Sequence, residues 1–480
     1  MENETRPTPN IEQVDEFTWK IEKQGKMNVP AVIYASEKLM QKIKSDKTIT
    51  QVQNVACLKG IIKHSLAMPD AHEGYGFPIG GVAAFDMDEG IISPGGVGYD
   101  INCSVRLLRT DYEADKIRDK IKPLIDQIFK EVPCGVGRKG ITKMTRDELN
   151  EVMACGLNWA IDNGYGKKDD MDRTEENGWL QKADPTLVSE RATARGLPQL
   201  GTLGSGNHFL EIQVVDKILD EESAKTFNIH EGQVVVMIHC GSRGLGHQVA
   251  SDYIKSMEDK YGFADLPDRE LINAPINSEL CQQYYKAMCA AANFGFTNKQ
   301  LITHWVRNGF EKVLGNSDNI DVVYDVCHNI AKFEKHKIDG ETREVCIHRK
   351  GATRSFGPGR IEIPEIYRKT GQPIMIPGSM GTASYLLVGT SKAEDVSFGS
   401  TAHGAGRVGS RAQALRTLKA EDIVRHLNNN GIYIKGNSMR GIAEEAPEMY
   451  KDIDEVARVS TQLGIGKAVA RLKPLGVMKG

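Results

Sequence analysis

The sequence lacks the features of a membrane, exported or disulfide-stabilised protein. No apolar run approaches the roughly 20 residues that a membrane helix needs, and residues 1–10 show no basic start followed by an apolar stretch. The nine cysteines are odd in number and form no Cys-x-x-Cys pair. A disulfide framework is therefore not expected. These absences predict a cytoplasmic protein without a membrane partner.

Charge of one sign is also lacking, because the net charge is 61 − 64 = −3. This excludes a globally basic nucleic-acid coat but not a local basic groove. The GxxxxGK[ST] phosphate loop is absent, which excludes P-loop chemistry at the level of motifs. Hydrophobic residues make up 40% and charged residues 26%, which is ordinary for a globular chain and argues against a fibrous or disordered one.

Glycine-rich, strand-like segments alternate with helical ones and predict an α/β (α+β) protein. The absence of repeats and linkers favours one large catalytic body over residues 1–480. Helical insertions are expected near 111–195 and 248–314. Within the first of these, charged segments with helical apolar spacing predict helices at residues 115–131 and 146–163.

Short β-branched runs predict buried strands at residues 233–238 and 320–327. Residues 346–411 are expected to form short strands and loops. Beyond residue 411 the pattern predicts helix up to a Lys/Gly tail.

Five potential metal ligands lie in glycine-rich loops or at the ends of expected strands. Asp100 and Cys103 are three residues apart, and His208, His239 and His328 follow farther along the chain. Strand ends gather functional groups in α/β proteins because the sheet is rigid and the loops leave room for a ligand. Carboxylate, thiolate and imidazole are common transition-metal ligands. The alternative is that each histidine is a structural residue with satisfied hydrogen bonds.

A Gly-x-Gly-x-x-Gly pattern begins directly after His403. A dinucleotide-binding fingerprint needs an apolar strand before it, and the preceding segment is a poor strand, so that interpretation is disfavoured. The glycines would instead let backbone N–H groups approach a phosphate beside His403. Arg407 and Arg411 are expected on one face of a following helix. A simple glycine turn with solvated arginines is the alternative.

Lys337-Ile-Asp-Gly340 matches the KxDG motif of lysine-nucleotidylating ligases and capping enzymes. Four loosely specified residues arise easily by chance, and the flanking residues are charged throughout. Asp339-Gly340 between short strands is typical of a hairpin turn. We therefore interpret this motif as a turn.

Taken together, motifs spread over essentially the whole chain resemble those of the RtcB-type RNA-splicing ligases, and the length is closer to that of archaeal or eukaryotic members. The motifs are Pro69-Asp-Ala-His-Glu-Gly74, Pro94-Gly-Gly-Val-Gly-Tyr-Asp-Ile-Asn-Cys103, Gly204-Ser-Gly-Asn-His-Phe-Leu-Glu211, His239-Cys-Gly-Ser-Arg-Gly244, Cys327-His-Asn329, Pro377-Gly-Ser-Met-Gly381, His403-Gly-Ala-Gly-Arg407 and Lys479-Gly480.

The resemblance implies a GTP-dependent ligase that joins RNA 3′-phosphate or 2′,3′-cyclic phosphate ends to 5′-hydroxyl ends in tRNA splicing and RNA repair. His403 would carry GMP, which passes to the RNA 3′ end before sealing. Two Mn²⁺ ions are implied, bridged by Cys103. His208 and His239 would complete one site, and Asp100 and His328 the other. Ligand softness alone would favour zinc, so manganese rests on the resemblance. The implied partners are RNA and the protein activator archease.

The resemblance also implies a guanylate site and contacts to RNA or phosphate. The guanylate site would comprise Asn207, His208, Phe209, Leu210, Glu211, His328, Asn329, Pro377, Gly378, Ser379, Met380, Ser384, His403, Gly404, Ala405, Gly406 and Lys479. The RNA or phosphate contacts would be Arg243, Lys350, Arg407 and Arg411. Two other functions stay open, a metal-dependent phosphoesterase and an RNA-binding module with a structural metal.

Overall fold

The computed structural model describes residues 10–135 and 137–480. Two large β-sheets with helices around them confirm the α/β (α+β) class. The strands in this part of the chain are β1 (Glu12–Gln13), β2 (Thr18–Ile21), β3 (Ala31–Tyr34), β4 (Ser65–His72), β5 (Ile79–Asp86), β6 (Ile91–Ile92), β7 (Ser104–Glu113), β8 (Phe209–Ile218), β9 (Gln233–Cys240), β10 (Ala274–Pro275), β11 (Asp321–Cys327), β12 (Asn329–Ile338), β13 (Glu341–Lys350), β14 (Ala352–Arg354), β15 (Pro373–Ile376), β16 (Ser384–Val388), β17 (Ser400–Ala402), β18 (Tyr433–Gly436) and β19 (Lys467–Lys479).

One sheet has the strand order β1-β2-β3-β4-β5-β13-β12. The other has the order β11-β7-β9-β8-β19-β16-β15, and β18 pairs with β19 in parallel. Two small ladders, β10-β6 and β14-β17, complete the described pairing. Strands β7, β8, β9 and β11 of the second large sheet begin or end next to Cys103, His208, His239 and His328. Strand β4 of the first large sheet contains Asp70.

The α-helices pack around the two sheets, except that the longest one, α12, is largely buried in the core. They are α1 (Glu37–Ile43), α2 (Thr48–Val55), α3 (Pro94–Val97), α4 (Ala114–Ile117), α5 (Ile121–Glu131), α6 (Arg146–Cys155), α7 (Leu157–Asp162), α8 (Asp169–Asp172), α9 (Glu190–Gly196), α10 (Glu221–Phe227), α11 (Arg243–Tyr261), α12 (Glu279–Leu314), α13 (Ser391–Ser397), α14 (Arg411–Thr417), α15 (Ala420–Asn429), α16 (Met439–Glu444) and α17 (Ile453–Leu463). Among the residues that the structure describes, no helix combines the length and the apolar character needed to cross a membrane.

Strand β9 shows why the central sheet is buried on both faces. All eight of its residues are buried. Val234, Val236 and Ile238 belong to the core cluster that includes Phe310 of α12, whereas Val235 and Met237 belong to the cluster on the opposite face. Side chains alternate between faces along a strand, so a continuous apolar run fills both clusters. The predicted buried strands at 233–238 and 320–327 are confirmed as β9 and β11.

Two predicted helices are interrupted. Residues 146–163 form α6 and α7, with a break at Gly156, whose φ of 55° lies in the left-handed region. A side chain there would also meet the Gly178 carbonyl oxygen at 2.4 Å. Residues 115–131 lie in α4, a short 3₁₀ turn and α5. Glycine adopts this left-handed conformation without steric cost. The break was not predicted because the flanking residues keep helical spacing on both sides of it.

The prediction of helix beyond residue 411 is confirmed for α14–α17, but it is wrong for β18 and for the last segment. The chain ends in β19, which pairs with β8 on one side and with β16 on the other. Pro474 sits at a register shift between Pro474 and Gly476, which is where a sheet tolerates proline. Pairing on both edges overrides local propensity, and it carries Lys479 to the strand end beside Phe209.

The hairpin interpretation of the KxDG motif is confirmed. Strands β12 and β13 pair antiparallel, with Lys337 opposite Thr342, and Asp339-Gly340 forms the turn. Asp339 has φ 52° and Gly340 φ 89°, the positive values that a tight hairpin turn of this kind requires.

Candidate active site

Four adjacent strands of the eight-stranded sheet bring potential metal ligands to one edge. Cys103 directly precedes β7 and His208 directly precedes β8, whereas His239 is the penultimate residue of β9 and His328 directly follows β11. The strands alternate in direction. The starts of β7 and β8 therefore meet the ends of β9 and β11, which explains how ligands far apart in the sequence converge.

The ligand atoms are close enough to share cations. Sγ of Cys103 lies 3.5 Å from Nε2 of His208 and 3.2 Å from Nε2 of His239. Nε2 of His239 lies 3.3 Å from Nε2 of His328, and Nε2 of His208 lies 2.8 Å from Oδ2 of Asp100. Two groups result, Cys103–His239–His328 and Asp100–Cys103–His208, each with all ligand atoms within 4.8 Å of one another. Cys103 belongs to both groups.

The electrostatics of this cluster suit a cation. Burial, followed by the neighbouring Asp100, raises the pKa of the Cys103 thiol well above its usual value, so a thiolate here needs a positive partner. Burial lowers the pKa of His239 and of His328, which leaves neutral imidazoles able to bind a metal. Oδ1 of Asp100 is buried and has no hydrogen-bond partner in the part of the chain that the structure describes. The donor set therefore fits a metal centre.

His208 differs from the other two histidines of the cluster. Burial opposes its protonation, but Cys240 and Asp100 raise its pKa to about 9. A metal bound at this ring must therefore displace a proton. The affinity of this half of the cluster for a divalent cation should therefore rise with pH.

A cavity of about 460 Å³ adjoins the cluster, and His239 and His328 form part of its wall. This volume lies within the range of small-molecule sites. Pairing of β19 with β8 places Lys479 opposite Phe209 and Val477 opposite Glu211, all along this wall. The predicted guanylate residues that line the cavity are Asn207, Phe209, Glu211, His328, Asn329, Pro377, Gly378, Ser379, Met380, His403, Gly404, Ala405, Gly406 and Lys479.

His403 follows β17 and is oriented by Asp70 of β4. Oδ2 of Asp70 accepts hydrogen bonds from the His403 backbone N–H at 2.9 Å, from its Nδ1 at 2.5 Å and from the Gly404 N–H at 3.2 Å. Burial alone would raise the pKa of Asp70, but His403 and Lys451 together lower it below the usual value. An ionised Asp70 therefore fixes the imidazole with its proton on Nδ1 and its lone pair on Nε2.

Glu211 is a buried acceptor in the same cavity. Its side chain accepts a hydrogen bond from Nε2 of Gln213 at 2.7 Å. Burial raises the pKa of Glu211 to about 7, against the opposing effects of Gln213 and Lys479. The carboxyl group is thus poised between its charged and neutral forms near neutral pH.

Positive side chains converge on Glu445 at another wall of the cavity. Oε1 of Glu445 lies 2.8 Å from Nε of Arg411, and Oε2 lies 3.2 Å from Nη1 of Arg407 and 4.0 Å from Nζ of Lys479. The Tyr450 hydroxyl also donates to Glu445. One buried carboxylate thus faces two arginines and one lysine, and basic side chains in this excess suit phosphate.

Comparison with known proteins identifies the family of this chain. Residues 51–480 match the family described as tRNA-splicing ligase RtcB. A protein of that name from Nanoarchaeum equitans is 56% identical over 474 residues, which cover 98% of this chain and 99% of the relative. The chain belongs to the RtcB family. Proteins of the same name from Thermococcus kodakarensis and Archaeoglobus fulgidus are each 53% identical, over 477 and 478 residues, again with 98% and 99% coverage.

The RtcB resemblance divides the ligands differently from the distances. The resemblance assigns His208 and His239 to one ion and Asp100 and His328 to the other. In the structure, the ligand atoms that lie close together are those of His239 with His328 and those of Asp100 with His208. Cys103 is shared in both arrangements. The division of ligands between two ions stays a prediction.

Three of the residues predicted for the RtcB guanylate site lie outside the cavity wall. Leu210 is fully buried in the core cluster behind β8, because alternation along the strand turns it away from Phe209 and Glu211. Ser384 supports the wall from behind, where its Oγ accepts hydrogen bonds from the Gly378 N–H and from Gln213, both at 3.2 Å. His208 belongs to the metal cluster.

The four residues predicted to contact RNA have different positions. Arg407 and Arg411 line the cavity, but α14 begins at Arg411, so the expectation that both lie on one helix is wrong. Arg243 lies against His208, with Nη1 3.1 Å from its Nδ1. Lys350 is buried, and its amine donates to the carbonyls of Tyr75 and Phe77. This interior position argues against an RNA contact through Lys350.

Sequence reasoning assigned no role to three residues of the site. Asp70 and His72 lie in the motif Pro69–Gly74, which contributed to the family resemblance. The motif did not indicate which residues these side chains contact. Glu445 stands in a segment without any recognisable pattern. Its importance comes from contacts to Arg407 and Lys479, which only the folded chain brings together.

Proposed function

We propose that this RtcB-family chain is a GTP-dependent RNA ligase that joins RNA 3′-phosphate or 2′,3′-cyclic phosphate ends to 5′-hydroxyl ends, in tRNA splicing and RNA repair. The supporting observation is His403, whose ring is fixed through Nδ1 by a buried carboxylate and lines a cavity shared with two potential metal ligands. An RNA-binding module has no need of an imidazole held in this way, and a phosphoesterase that used it would form no bond to GMP.

In the first step, Nε2 of His403 attacks the α-phosphorus of GTP. The Nδ1–H bond to Asp70 leaves the lone pair on Nε2 and stabilises the positive charge that develops on the ring. A P–N bond forms while the bond from the α-phosphorus to the oxygen of the leaving pyrophosphate breaks. The product is a histidine–GMP phosphoramidate.

In the later steps GMP moves to RNA. An oxygen of the RNA 3′-phosphate attacks the phosphoramidate and releases His403, which gives an RNA 3′-guanylate. The 5′-hydroxyl of the second RNA then attacks the 3′-phosphorus and expels GMP. A cyclic phosphate must first be opened by water to the 3′-phosphate. Phosphoryl transfer depends mainly on positioning and charge, which Arg407, Arg411 and Lys479 supply at the cavity wall.

We propose that Asp100, Cys103, His208, His239 and His328 hold two Mn²⁺ ions. Bound divalent cations would neutralise phosphate charge and hold reacting oxygens in line. The thiolate and imidazole donors would also suit zinc, so the choice of manganese rests on family membership rather than on the ligands.

Glu211 is proposed to recognise guanine. A carboxylate can accept hydrogen bonds from guanine N1–H and N2–H₂, groups that adenine lacks in this arrangement. The buried carboxyl group has Lys479 nearby to oppose its proton uptake. This arrangement would favour GTP over ATP.

Both large sheets serve the proposed site, because β4 supplies Asp70 and β7, β8 and β9 supply or flank the ligands. We therefore propose that residues 1–480 act as one catalytic body with helical insertions near 111–195 and 248–314. Action in the cytoplasm and activation by archease are further proposals that rest on family membership.

Incubation with α-labelled GTP and Mn²⁺, followed by addition of cyclic-phosphate and 5′-hydroxyl RNA, tests the function. The protein should become labelled through an acid-labile, alkali-stable bond, and the label should leave as RNA is joined. A phosphoesterase would open the cyclic phosphate without labelling, and a binding module would do neither. Either of those results overturns the proposal.

A further inference from the structure

Besides His239, His328 and His403, a fourth imidazole lines the cavity. His72 is the last residue of β4, two positions beyond Asp70, and it forms part of the cavity wall together with Glu73 and Ile79. Its Nδ1 lies 3.1 Å from the backbone carbonyl oxygen of Asp70. The mechanism proposed above makes no use of this side chain.

The contact to Asp70 fixes the tautomer of His72. A carbonyl oxygen only accepts hydrogen bonds, so Nδ1 must carry the ring proton and Nε2 must carry the lone pair. Nε2 has no hydrogen-bond partner within residues 10–135 and 137–480. Burial, followed by the positive charge of Lys451, lowers the pKa of His72 to about 4, in agreement with a neutral ring. Asp70 thus orients both imidazoles, His403 through its side chain and His72 through its backbone.

The wall around His72 adjoins His403. Ile79 pairs with His72 across the β4–β5 ladder. A Cβ atom on Gly351 would lie 2.3 Å from Cγ2 of Ile79 and 3.1 Å from Cε1 of His403, which shows how closely these groups meet. His72 and His403 therefore line adjoining parts of the same cavity.

The chemistry of the cavity defines what His72 can bind. Arg407, Arg411 and Lys479 are charged donors on the wall around Glu445, and they suit phosphate. Glu73 already has a partner, with its Oε1 3.0 Å from Nζ of Lys47. A neutral imidazole with an unpaired Nε2 offers an acceptor to an uncharged donor, and a hydroxyl is the uncharged donor that ribose carries.

We propose that His72 is a substrate-contact residue whose Nε2 accepts a hydrogen bond from a ribose hydroxyl of the substrate bound beside His403. This inference rests on the proposed ligase function. The hydroxyl belongs either to the guanosine nucleotide or to an RNA end, since both carry ribose into this cavity.

Two variants separate the acceptor from the structural anchor. His72→Asn keeps an N–H near the position of Nδ1, so it can still donate to the Asp70 carbonyl, but it lacks the distal acceptor. His72→Gln places an amide oxygen near the position of Nε2 and weakens the anchor. Because it loses one hydrogen bond, His72→Asn should lower the rate of the step that uses the hydroxyl by about 3- to 10-fold. His72→Gln keeps an acceptor, so its rate should stay within about threefold of that of the unmodified chain.

Three single-turnover reactions identify the hydroxyl. The first is labelling with GTP, 2′-deoxy-GTP and 3′-deoxy-GTP. The second is transfer from guanylylated protein to a 3′-phosphate RNA with or without its terminal 2′-hydroxyl. The third is sealing of preformed RNA 3′-guanylate to 5′-hydroxyl RNA. If a 2′- or 3′-hydroxyl is the donor, His72→Asn should also lose discrimination against the matching deoxy substrate. If only the third reaction slows, the donor is the 5′-hydroxyl.

The inference is overturned if His72→Gln is impaired while His72→Asn behaves as the unmodified chain, because His72 is then only an anchor for β4. It is equally overturned if both variants match the unmodified chain in all three reactions. Failure of the unmodified chain to become labelled would instead refute the ligase function itself, which keeps the two failures distinct. Thermal unfolding of each variant checks that the fold is intact.

Discussion

The Asp70→Asn substitution tests the orientation of the nucleophile. Asp70 is fully buried, and its Oδ2 accepts three hydrogen bonds, two from His403 and one from the Gly404 N–H. Asparagine has the same shape but no charge, and its amide group can donate to Nδ1. The proton of His403 would then be free to move to Nε2, which removes the lone pair that the attack requires.

The size of the effect follows from the lost interaction. A hydrogen bond to a charged group contributes about 1.5–3 kcal/mol, which corresponds to about a 10- to 150-fold change in rate. We therefore expect Asp70→Asn to slow labelling by α-labelled GTP by about that factor in single-turnover experiments, with little change in manganese content, since Asp70 is not among the proposed ligands.

Asp88→Asn is a suitable control, because Asp88 is an exposed carboxylate in a turn away from the cavity. It should label at the rate of the unmodified chain. Labelling of Asp70→Asn at that same rate, with intact folding, would refute the claim that Asp70 sets the reactive tautomer of His403.

Three further perturbations follow from the same geometry. Cys103→Ser should weaken manganese binding by more than about 100-fold, since even the loss of a group that only supports a ligand costs about 10- to 100-fold. Titration calorimetry measures this affinity, with Cys155→Ser as the control. Equal affinities of the two variants would contradict the role of Cys103 as a ligand of both ions. Glu211 must be ionised to accept from guanine and its pKa is raised to about 7, so GTP affinity should fall ~tenfold per pH unit below that value and reach a plateau above it. In Glu211→Gln this slope should vanish, and a slope that persists would assign it to another group. Lys337→Ala should label normally, because Lys337 lies in a hairpin strand opposite Thr342; loss of labelling in a folded variant would restore the KxDG interpretation.

The metal cluster was predictable from the sequence because its signal is local. His239 and His328 each follow a short β-branched run that predicts a buried strand, and strand ends of one sheet meet at its edges. Their mutual distances were not predictable, because the order β11-β7-β9-β8 brings together strands that are far apart in the chain. The division of ligands between two ions cannot be read from sequence for the same reason.

Contacts between distant segments account for what the sequence did not reveal. Asp70 and His403 are separated by 333 positions, and no local pattern links a carboxylate in one sheet to a histidine after another strand. The C-terminal segment has alternating and charged residues that fit either helix or strand, and pairing with β8 and β16 decides between them. Lys350 stands in a basic stretch, yet its burial below Tyr75 and Phe77 is visible only in the folded chain.

Mapping the labelled residue tests the central claim most directly. The unmodified chain, after reaction with GTP and Mn²⁺, should yield a single peptide that carries GMP on His403, as located by mass spectrometry under alkaline conditions. His403→Ala should carry no GMP while it binds manganese normally. A guanylylated lysine, or a label that survives in His403→Ala, would contradict the account.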